Sequence, residues 1–329
     1  MSRTVIAGCG IAGTTAACAL KEMLPEEEII LMDKTGCGLY SRIRLPEVLS
    51  GKLPEAKLLL TTPEMLKEKG IRTIFNAEIT SLDPQEKTVE YNGGSLQYDR
   101  FVFALGAAPL IPAIPGLDRS MGLRDLEDLH RFESMVCGAE RALVIGGGLL
   151  GLEIADSVSE KGVAVTVSEI GERLLPAILN QDESEFLFDY LTERGLRIVL
   201  SGKVEGICRD GDSYRVVLNG KDEVFDLILV SAGILPEVSI ARSAGLKVNR
   251  GICINDRFET SADGVYAIGD CAELEGRVYG LWMASKSQGT ALASILAGKA
   301  DSYQSPVFSP VPKLPGISLK LLKEKAAAK

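Results

Sequence analysis

Histidine is almost absent from this chain of 329 residues, and His130 is its only example. A Ser-His-Asp triad needs a histidine as general base, and histidine is a frequent metal ligand. His130 lies in the helical-looking stretch Asp125-Leu-Glu-Asp-Leu-His-Arg-Phe, where we expect an ordinary solvated side chain. The sequence therefore favours neither hydrolysis by a triad nor a metal site.

Paired cysteines are also absent, because no C-x-x-C spacing occurs. The seven cysteines are scattered along the chain at Cys9, Cys18, Cys37, Cys137, Cys208, Cys253 and Cys271. An odd, scattered set fits neither a disulfide framework nor a zinc site. We expect most of them to be small, buried, apolar residues.

The chain has no long uninterrupted apolar run and no basic excess. Its apolar start, from Val5 to Leu20, is broken by glycines and lacks a basic region before it, unlike a signal peptide or a membrane span. Lysine and arginine number 36 against 45 aspartates and glutamates, which gives a net charge of −9. This charge would repel nucleic acid and anionic membranes. We therefore expect a cytoplasmic protein that binds neither.

A glycine-rich loop follows the first predicted strand. The apolar residues from Thr4 to Ala7 run into Gly8-Cys-Gly-Ile-Ala-Gly13, a G-x-G-x-x-G pattern that leads into a small-residue helix. Such glycines permit a tight turn, a close approach of backbone to pyrophosphate, and close packing of helix on strand. Asp33, 25 positions after Gly8, ends the second strand, where an acid can accept a hydrogen bond from ribose. This arrangement predicts a dinucleotide site.

The same arrangement recurs in the middle of the chain. A strand beginning at Arg141 leads into Gly146-Gly-Gly148-Leu-Leu-Gly151, and Glu169 follows 23 positions after Gly146. An internal repeat of strand, loop, helix, strand and acid is far more specific than one glycine loop. A chain of this length can hold two cores. The repeat therefore predicts two α/β domains and two dinucleotides.

Two further predicted strands end in candidate ligand-binding residues. Ala104-Leu-Gly106 and Gly269-Asp270 each follow a short apolar strand, and ligands of parallel sheets bind at the carboxyl ends of strands.

The apolar run from Val224 to Val230, with Asp226 inside it, is predicted to form one strand. A helix predicted from residue 284 to 296 carries small residues for close packing, namely Ala284, Ser287, Ala291 and Ser294.

These ordered motifs resemble the FAD-dependent pyridine nucleotide-disulfide oxidoreductase superfamily, and within it the NADH-dependent rubredoxin and ferredoxin reductases. The similarity covers residues 3 to 298. It implies an α/β fold with two Rossmann-like domains of the glutathione-reductase type, small antiparallel inserts, and little or no interface domain. It also implies a discontinuous FAD-binding domain at residues 1–112 plus 240–300, an NADH-binding domain at 113–239, and a short C-terminal extension at 301–329.

The resemblance assigns contacts to both cofactors, with FAD bound non-covalently. The implied FAD contacts are Gly8, Gly10, Ile11, Ala12, Gly13, Asp33, Lys34, Arg42, Pro46, Ile79, Leu105, Gly106, Arg124, Gly269, Asp270 and Trp282. The implied NADH contacts are Gly146, Gly148, Leu149, Leu150, Gly151, Glu153, Glu169, Gly233 and Ile234. Glu153 resembles an acid near the nicotinamide, and no side chain is assigned as catalytic because the flavin carries the chemistry.

The chain departs from its disulfide-reducing and peroxide-reducing relatives in the loop after Asp33. Ile43 stands at the position of the single cysteine of NADH peroxidases and oxidases, and Cys37 lies six residues earlier. We therefore expect no thiol in the reaction. Only about thirty residues follow Gly298, where relatives continue into an interface domain, so a monomer or weak dimer is expected.

The resulting hypothesis is an enzyme that passes electrons from NADH through FAD to a small electron-carrier protein of the rubredoxin or ferredoxin type. Arg42, Arg44 and Lys52 are candidates for a basic surface that would attract an acidic carrier. An NADH oxidase that reduces oxygen or another small oxidant directly is one alternative. A flavin-binding interaction protein that responds to NADH is another.

Overall fold

A computed structural model describes residues 2–308, 310 and 313–318 of the chain, and the lysine-rich end at 319–329 lies outside the described residues. The chain divides into two compact units. The first unit consists of Met1–Ser41, Leu59–Ala108 and Leu235–Phe308. The second consists of Arg42–Leu58, Pro109–Ile234 and Ser309–Lys329. The segment Arg42–Leu58 thus groups with the second unit, whereas the predicted limits include it in the FAD-binding domain.

The strands of the described residues are β1 (Arg3–Ala7), β2 (Glu28–Asp33), β3 (Leu39–Tyr40), β4 (Leu59–Thr61), β5 (Arg72–Phe75), β6 (Ile79–Asp83), β7 (Thr88–Tyr91), β8 (Gly94–Gln97), β9 (Arg100–Phe103), β10 (Ala107–Pro109), β11 (Arg141–Ile145), β12 (Ala164–Ser168), β13 (Arg197–Val199), β14 (Val204–Asp210), β15 (Ser213–Leu218), β16 (Lys221–Phe225), β17 (Leu227–Val230), β18 (Ile234–Pro236), β19 (Ile252–Ile254), β20 (Val265–Ala267) and β21 (Ala272–Leu274).

The α-helices are α1 (Ile11–Met23), α2 (Leu45–Leu49), α3 (Pro63–Glu68), α4 (Leu126–Val136), α5 (Leu149–Ser159), α6 (Gln181–Glu193), α7 (Ser239–Ser243) and α8 (Trp282–Leu296). Short 3₁₀ turns occur at Arg42–Arg44, Glu55–Lys57, Arg119–Met121 and Gly269–Cys271. Among the described residues, no helix has both the length and the apolarity that a membrane span requires.

The first unit is built on a parallel sheet with the strand order β20-β9-β1-β2-β5. Alternate residues of β1 face opposite sides: Ile6 packs in a cluster with α1 and α8, while Val5 packs toward the antiparallel sheet β6-β7-β8. Both side chains are fully buried, and burial of each contributes about 1.5–3 kcal/mol. A predicted small antiparallel insert is confirmed as the sheet β6-β7-β8.

Helix α8 packs closely on α1, and Gly289 lies at the contact. A Cβ at Gly289 would lie only 2.5 Å from the carbonyl oxygen of Ala12. Of the four predicted small residues, Ala284 is fully buried and Ala291 packs against the cluster that contains α1, whereas Ser287 and Ser294 are half-buried. The predicted close packing by small residues therefore holds, but the prediction omitted Gly289, where the absence of a side chain lets the two backbones approach.

The second unit repeats the design with a parallel sheet in the order β13-β12-β11-β17 and an antiparallel sheet β14-β15-β16. The predicted single strand from Val224 to Val230 is wrong, because it is divided between these two sheets at Asp226. One Asp226 carboxylate oxygen accepts hydrogen bonds from the backbone N–H groups of Glu140 and Arg141, each at 2.9 Å. These bonds hold the pKa of Asp226 below its usual value. The α/β class with two parallel sheets is confirmed.

Candidate functional site

The first glycine loop lies at the carboxyl edge of the first sheet, directly after β1. Gly8 has a φ of +115°, and a Cβ there would lie 2.2 Å from the carbonyl oxygen of Ala104. A Cβ at Gly13 would lie 2.0 Å from the carbonyl oxygen of Gly8. Atoms cannot approach so closely, so both positions require glycine for the protein's own packing.

Gly10 lies between Gly8 and Gly13 in the loop, and its Cβ position faces open space. Its φ is −74°, and no described atom lies within 4 Å of the position that a Cβ would take. Gly10 is also the N-cap of α1, and no described side chain caps that helix, whereas Asp125 and Asn180 complete capping boxes on α4 and α6. An uncapped helix start beside open space fits an anionic group, because its N–H donors and dipole face that space. The loop therefore fits a pyrophosphate.

Asp33 connects this loop to the end of β2. One carboxylate oxygen accepts the backbone N–H of Cys9 at 2.7 Å, and the other accepts the N–H and hydroxyl of Thr35 at 2.8 and 2.6 Å. A carboxylate offers about four acceptor positions, so it retains capacity for a ribose hydroxyl. Asp33 therefore holds the loop and can accept one further hydrogen bond.

A third strand end meets the same edge. Gly269, after β20, has a φ of +77° and donates its N–H to the buried Gln288 side chain at 2.7 Å. The Ser285 hydroxyl donates to Asp270 at 3.2 Å. A Cβ at Gly269 would lie 3.0 Å from that of Ala12, which places this turn beside the start of α1. The sequence analysis did not predict Ser285 and Gln288. The only feature of the sequence that could have indicated them is that they are polar residues three positions apart in a helix of small residues.

The other residues predicted to contact FAD fall into two groups. Those in the first unit are Ile11, Ala12, Lys34, Ile79, Leu105, Gly106 and Trp282. Ile79 begins β6, and Trp282 is the first residue of α8. The predicted contacts Arg42, Pro46 and Arg124 belong to the second unit. The structure therefore brings most of the predicted set, but not all of it, to the first unit.

The second glycine loop repeats the geometry of the first one. Gly146 has a φ of +110°, and a Cβ there would lie 2.3 Å from the carbonyl oxygen of Ser231. A Cβ at Gly151 would lie 2.0 Å from the carbonyl oxygen of Gly146, whereas no described atom lies within 4 Å of one at Gly148. Gly148 is the N-cap of α5, which no described side chain caps. Each loop thus has two glycines required for packing and one facing open space.

Glu169 corresponds to Asp33 in this second loop. One of its carboxylate oxygens accepts the backbone N–H of Gly147 at 2.7 Å, and the other accepts that of Gly171 at 2.7 Å. The Arg173 guanidinium, four residues later, donates to the carbonyl oxygens of Leu179 and Pro176. This arginine is therefore engaged within its own turn.

Glu153 lies in α5, next to a cavity of about 290 Å³. One of its carboxylate oxygens accepts the backbone N–H of Lys313 at 2.8 Å. Burial raises the pKa of the Glu153 carboxyl, and the N–H and charge of Lys313 oppose that shift.

The other residues predicted on the nicotinamide side are Gly233, which has a φ of +116°, and Ile234, which begins β18. Leu149 and Leu150 form the first turn of α5.

The cysteines differ from expectation. Cys9 and Cys271 are buried, and burial raises the pKa of each thiol to about 12. Cys137 and Cys208 are exposed and the other three are half-buried, so the prediction that most would be buried is wrong. His130 is exposed, as predicted, and its ring nitrogen lies 2.8 Å from a carboxylate oxygen of Glu55, which raises the pKa of His130.

Two glycine loops of one geometry, each at the carboxyl edge of a parallel sheet and each tied to an acid, define a protein with two dinucleotide-binding sites. The sequence pattern of one family, pyridine nucleotide-disulphide oxidoreductase, matches residues 2–289. The chain belongs to this family.

Its relatives include electron-transfer enzymes. The nitric oxide reductase FlRd-NAD(+) reductase of Klebsiella pneumoniae subsp. pneumoniae is 30% identical over 319 residues, which are 96% of this chain and 85% of the relative. The NADH:rubredoxin oxidoreductase of Clostridium acetobutylicum has a similar structure, with 25% identity, a TM-score of 0.81, and coverage of 96% of this chain and 80% of that one. An NAD-dependent persulfide reductase from A. fulgidus gives 28% identity, a TM-score of 0.90, and coverage of 99% and 65%.

The predicted enzyme class is confirmed: the chain is an oxidoreductase that catalyses NADH-dependent electron transfer. The predicted cofactors, FAD and NADH, are those of its family.

Proposed function

We propose that the protein transfers electrons from NADH to a small one-electron carrier of the rubredoxin or ferredoxin type. The observation that carries this proposal is the pair of matching glycine loops, each with an open glycine at an uncapped helix start. FAD, when bound, accepts a hydride from NADH and can release its electrons one at a time. The likeness to enzymes named for FlRd and rubredoxin supports a carrier protein as the acceptor.

We assign FAD to the loop at Gly10 and NADH to the loop at Gly148. Gly269 and Asp270 lie beside α1 in the first unit, where they would contact the FAD ribityl chain. Asp33 and Glu169 would each accept a hydrogen bond from an adenosine ribose. The protein's own contribution is binding, orientation and exclusion of water, with no side chain acting as a nucleophile. A cytoplasmic location and a monomeric or weakly dimeric state remain predictions.

Two of the three basic side chains predicted to attract a carrier are held in ion pairs. Arg44 pairs with Glu47 at 2.6 Å, and Lys52 pairs with Glu160 at 2.6 Å. Paired charges of opposite sign contribute little long-range attraction. We therefore propose docking by short-range surface fit, without steering by Arg44 or Lys52.

Anaerobic stopped-flow mixing tests the acceptor. NADH-reduced enzyme is mixed in turn with rubredoxin, with ferredoxin and with dissolved oxygen, and flavin reoxidation is followed by absorbance. We expect at least one carrier to reoxidise the flavin about tenfold or more faster than oxygen at equal concentration, because a docked carrier positions its redox centre. Fast reoxidation by oxygen alone would identify an NADH oxidase. An enzyme that NADH does not reduce would support the flavin-binding interaction protein instead.

Alkylation tests whether turnover needs a protein thiol. With the flavin bound, we expect treatment with a thiol-alkylating reagent to leave NADH-dependent dye reduction within about 20% of the untreated rate, since a thiol outside the reaction can be blocked without effect. Cys37→Ser should behave like the exposed-site control Cys137→Ser. A Cys37→Ser variant that NADH still reduces, but whose flavin is no longer reoxidised, would refute this prediction.

A further inference from the structure

A short segment in the region predicted as a C-terminal extension is seated on the second unit. This segment, residues 313–317, is called the strap below. Its side chains Leu314 and Ile317 are 4% and 8% exposed, and the Tyr190 hydroxyl donates a hydrogen bond to the carbonyl oxygen of Pro315. Two buried apolar side chains and a hydrogen bond give the strap a defined place on the unit.

Lys313 begins the strap and connects three elements of this unit. Its backbone N–H donates to Glu153 of α5 at 2.8 Å. Its side-chain ammonium donates to the carbonyl oxygen of Ile43 at 2.9 Å, in the 3₁₀ turn Arg42–Arg44. The same ammonium lies 3.7 Å from a carboxylate oxygen of Glu47 in α2. One residue therefore links Glu153 to the turn that begins with Arg42.

The neighbouring charges along the same cavity are largely paired elsewhere. Asp156 of α5 accepts from Arg194 at 2.8 and 3.1 Å. Lys52, after α2, pairs with Glu160 at 2.6 Å, and Arg44 forms two bonds of 3.0 Å and one of 2.6 Å to Glu47. Among the charged neighbours, Lys313 of the strap lowers the pKa of Glu153, and Glu47 of α2, although paired with Arg44, raises it.

We propose that Lys313 is a positioning residue for Glu153, with its N–H fixing the carboxylate and its ammonium fixing the turn at Ile43 and α2. The inference rests on the proposed function, which places the nicotinamide near Glu153. In this arrangement the strap keeps the Glu153 carboxyl oriented beside the proposed nicotinamide site. Positioning matters because a displacement of about 1 Å can reduce a rate about 100-fold.

Electrostatics supports the same role. Burial raises the pKa of Glu153, Lys313 opposes that rise through its N–H and its charge, and the charge of Glu47 adds to it. Removing the ammonium should therefore raise the pKa of Glu153 further, because a stabilising opposite charge is lost. Removing the charge of Glu47 should lower it. Opposite shifts from two neighbouring substitutions are not expected from general loosening of the fold.

The test compares the holoenzyme with Lys313→Met, Glu47→Gln and the control Lys203→Met. Lys203 is an exposed lysine of the same unit that lies 3.4 Å from Glu205. Infrared difference spectra across pH identify the Glu153 carboxyl as the band missing in Glu153→Gln. We expect this band to titrate at higher pH in Lys313→Met, at lower pH in Glu47→Gln, and as in the wild type in Lys203→Met.

Flavin reduction by NADH is then measured in single turnover across pH. We expect the rate at neutral pH to fall about tenfold in Lys313→Met, with the acid limb of its pH profile displaced upward. An unchanged Glu153 titration in both variants, or shifts in the same direction, would overturn the proposal. If the titration shifts as expected but Glu153→Gln is reduced at the wild-type rate, the assignment of Glu153 to the nicotinamide fails while its link to Lys313 stands. If no carrier protein reoxidises the flavin, only the proposed acceptor is refuted, and the link between Lys313 and Glu153 is unaffected.

Discussion

Gly10→Val is expected to give a folded protein that no longer retains FAD. The protein itself leaves a Cβ at this position free, since no described atom beyond the adjacent residues lies within 4 Å of it. The valine would instead occupy the space where we place the pyrophosphate, and would separate it from the N–H groups of α1. Overpacking and lost charge-assisted hydrogen bonds together cost about 3 kcal/mol or more, so affinity should fall roughly 100-fold or more.

Gly148→Val is the matched variant, because the second loop has the same geometry. We expect this protein to remain yellow, but to be reduced by NADH roughly 100-fold more slowly at a fixed low NADH concentration. Each substitution replaces a glycine N-cap with valine, so both should lower the free energy of unfolding by a similar amount, about 1 kcal/mol. The variants Gly10→Val and Gly148→Val therefore test the two cofactor sites separately, while the expected loss of folding stability is the same in both.

Flavin content per chain after gel filtration, together with the rate of reduction by NADH, measures both effects. Gly8→Ala provides a contrast, because a Cβ there would meet a backbone oxygen at 2.2 Å and should prevent correct folding. Normal flavin content in Gly10→Val, or loss of flavin in Gly148→Val, would contradict the assignment of the two loops.

The wild-type enzyme is expected to prefer NADH over NADPH by about 100-fold or more in kcat/KM, and Glu169→Ala to reduce that preference to within about tenfold. A carboxylate that accepts from the ribose 2′-hydroxyl would repel a 2′-phosphate, and close like charges cost several kcal/mol. Arg173 offers little compensation, since it donates to the carbonyl oxygens of Leu179 and Pro176. Its replacement by alanine should leave the preference almost unchanged.

The ratio of the two cofactors isolates the effect of charge. Glu169→Ala also leaves the N–H groups of Gly147 and Gly171 without their acceptor, which should weaken both cofactors alike and cancel in the ratio. Glu172→Ala, an exposed acid three residues later, is the control for a general change of surface charge. Equal kcat/KM values for both cofactors in the wild type would mean that Glu169 does not contact the ribose.

Local backbone requirements made the two loops predictable. Gly8 and Gly13 are glycines because strand, turn and helix are neighbours along the chain, so the clash that excludes a side chain recurs wherever this spacing recurs. Asp33 and Glu169 follow from the same repeat, because the first two strands of each repeat are parallel neighbours and the end of the second lies beside the loop after the first.

Contacts between distant segments decided what the sequence did not reveal. The run from Val224 to Val230 is apolar except at Asp226, which accepts N–H groups from residues more than eighty positions away and lies where the run is divided between two sheets. The close contact of α8 with α1 at Gly289, which the prediction omitted, depends on where α1 lies.

The link from Lys313 to Glu153 joins residues 160 positions apart, through a backbone N–H that every residue except proline possesses. By itself, then, the sequence determined the elements whose geometry is set within one strand-loop-helix repeat. The tertiary structure alone decided which distant groups meet, because side-chain periodicity within a segment carries no information about its partner.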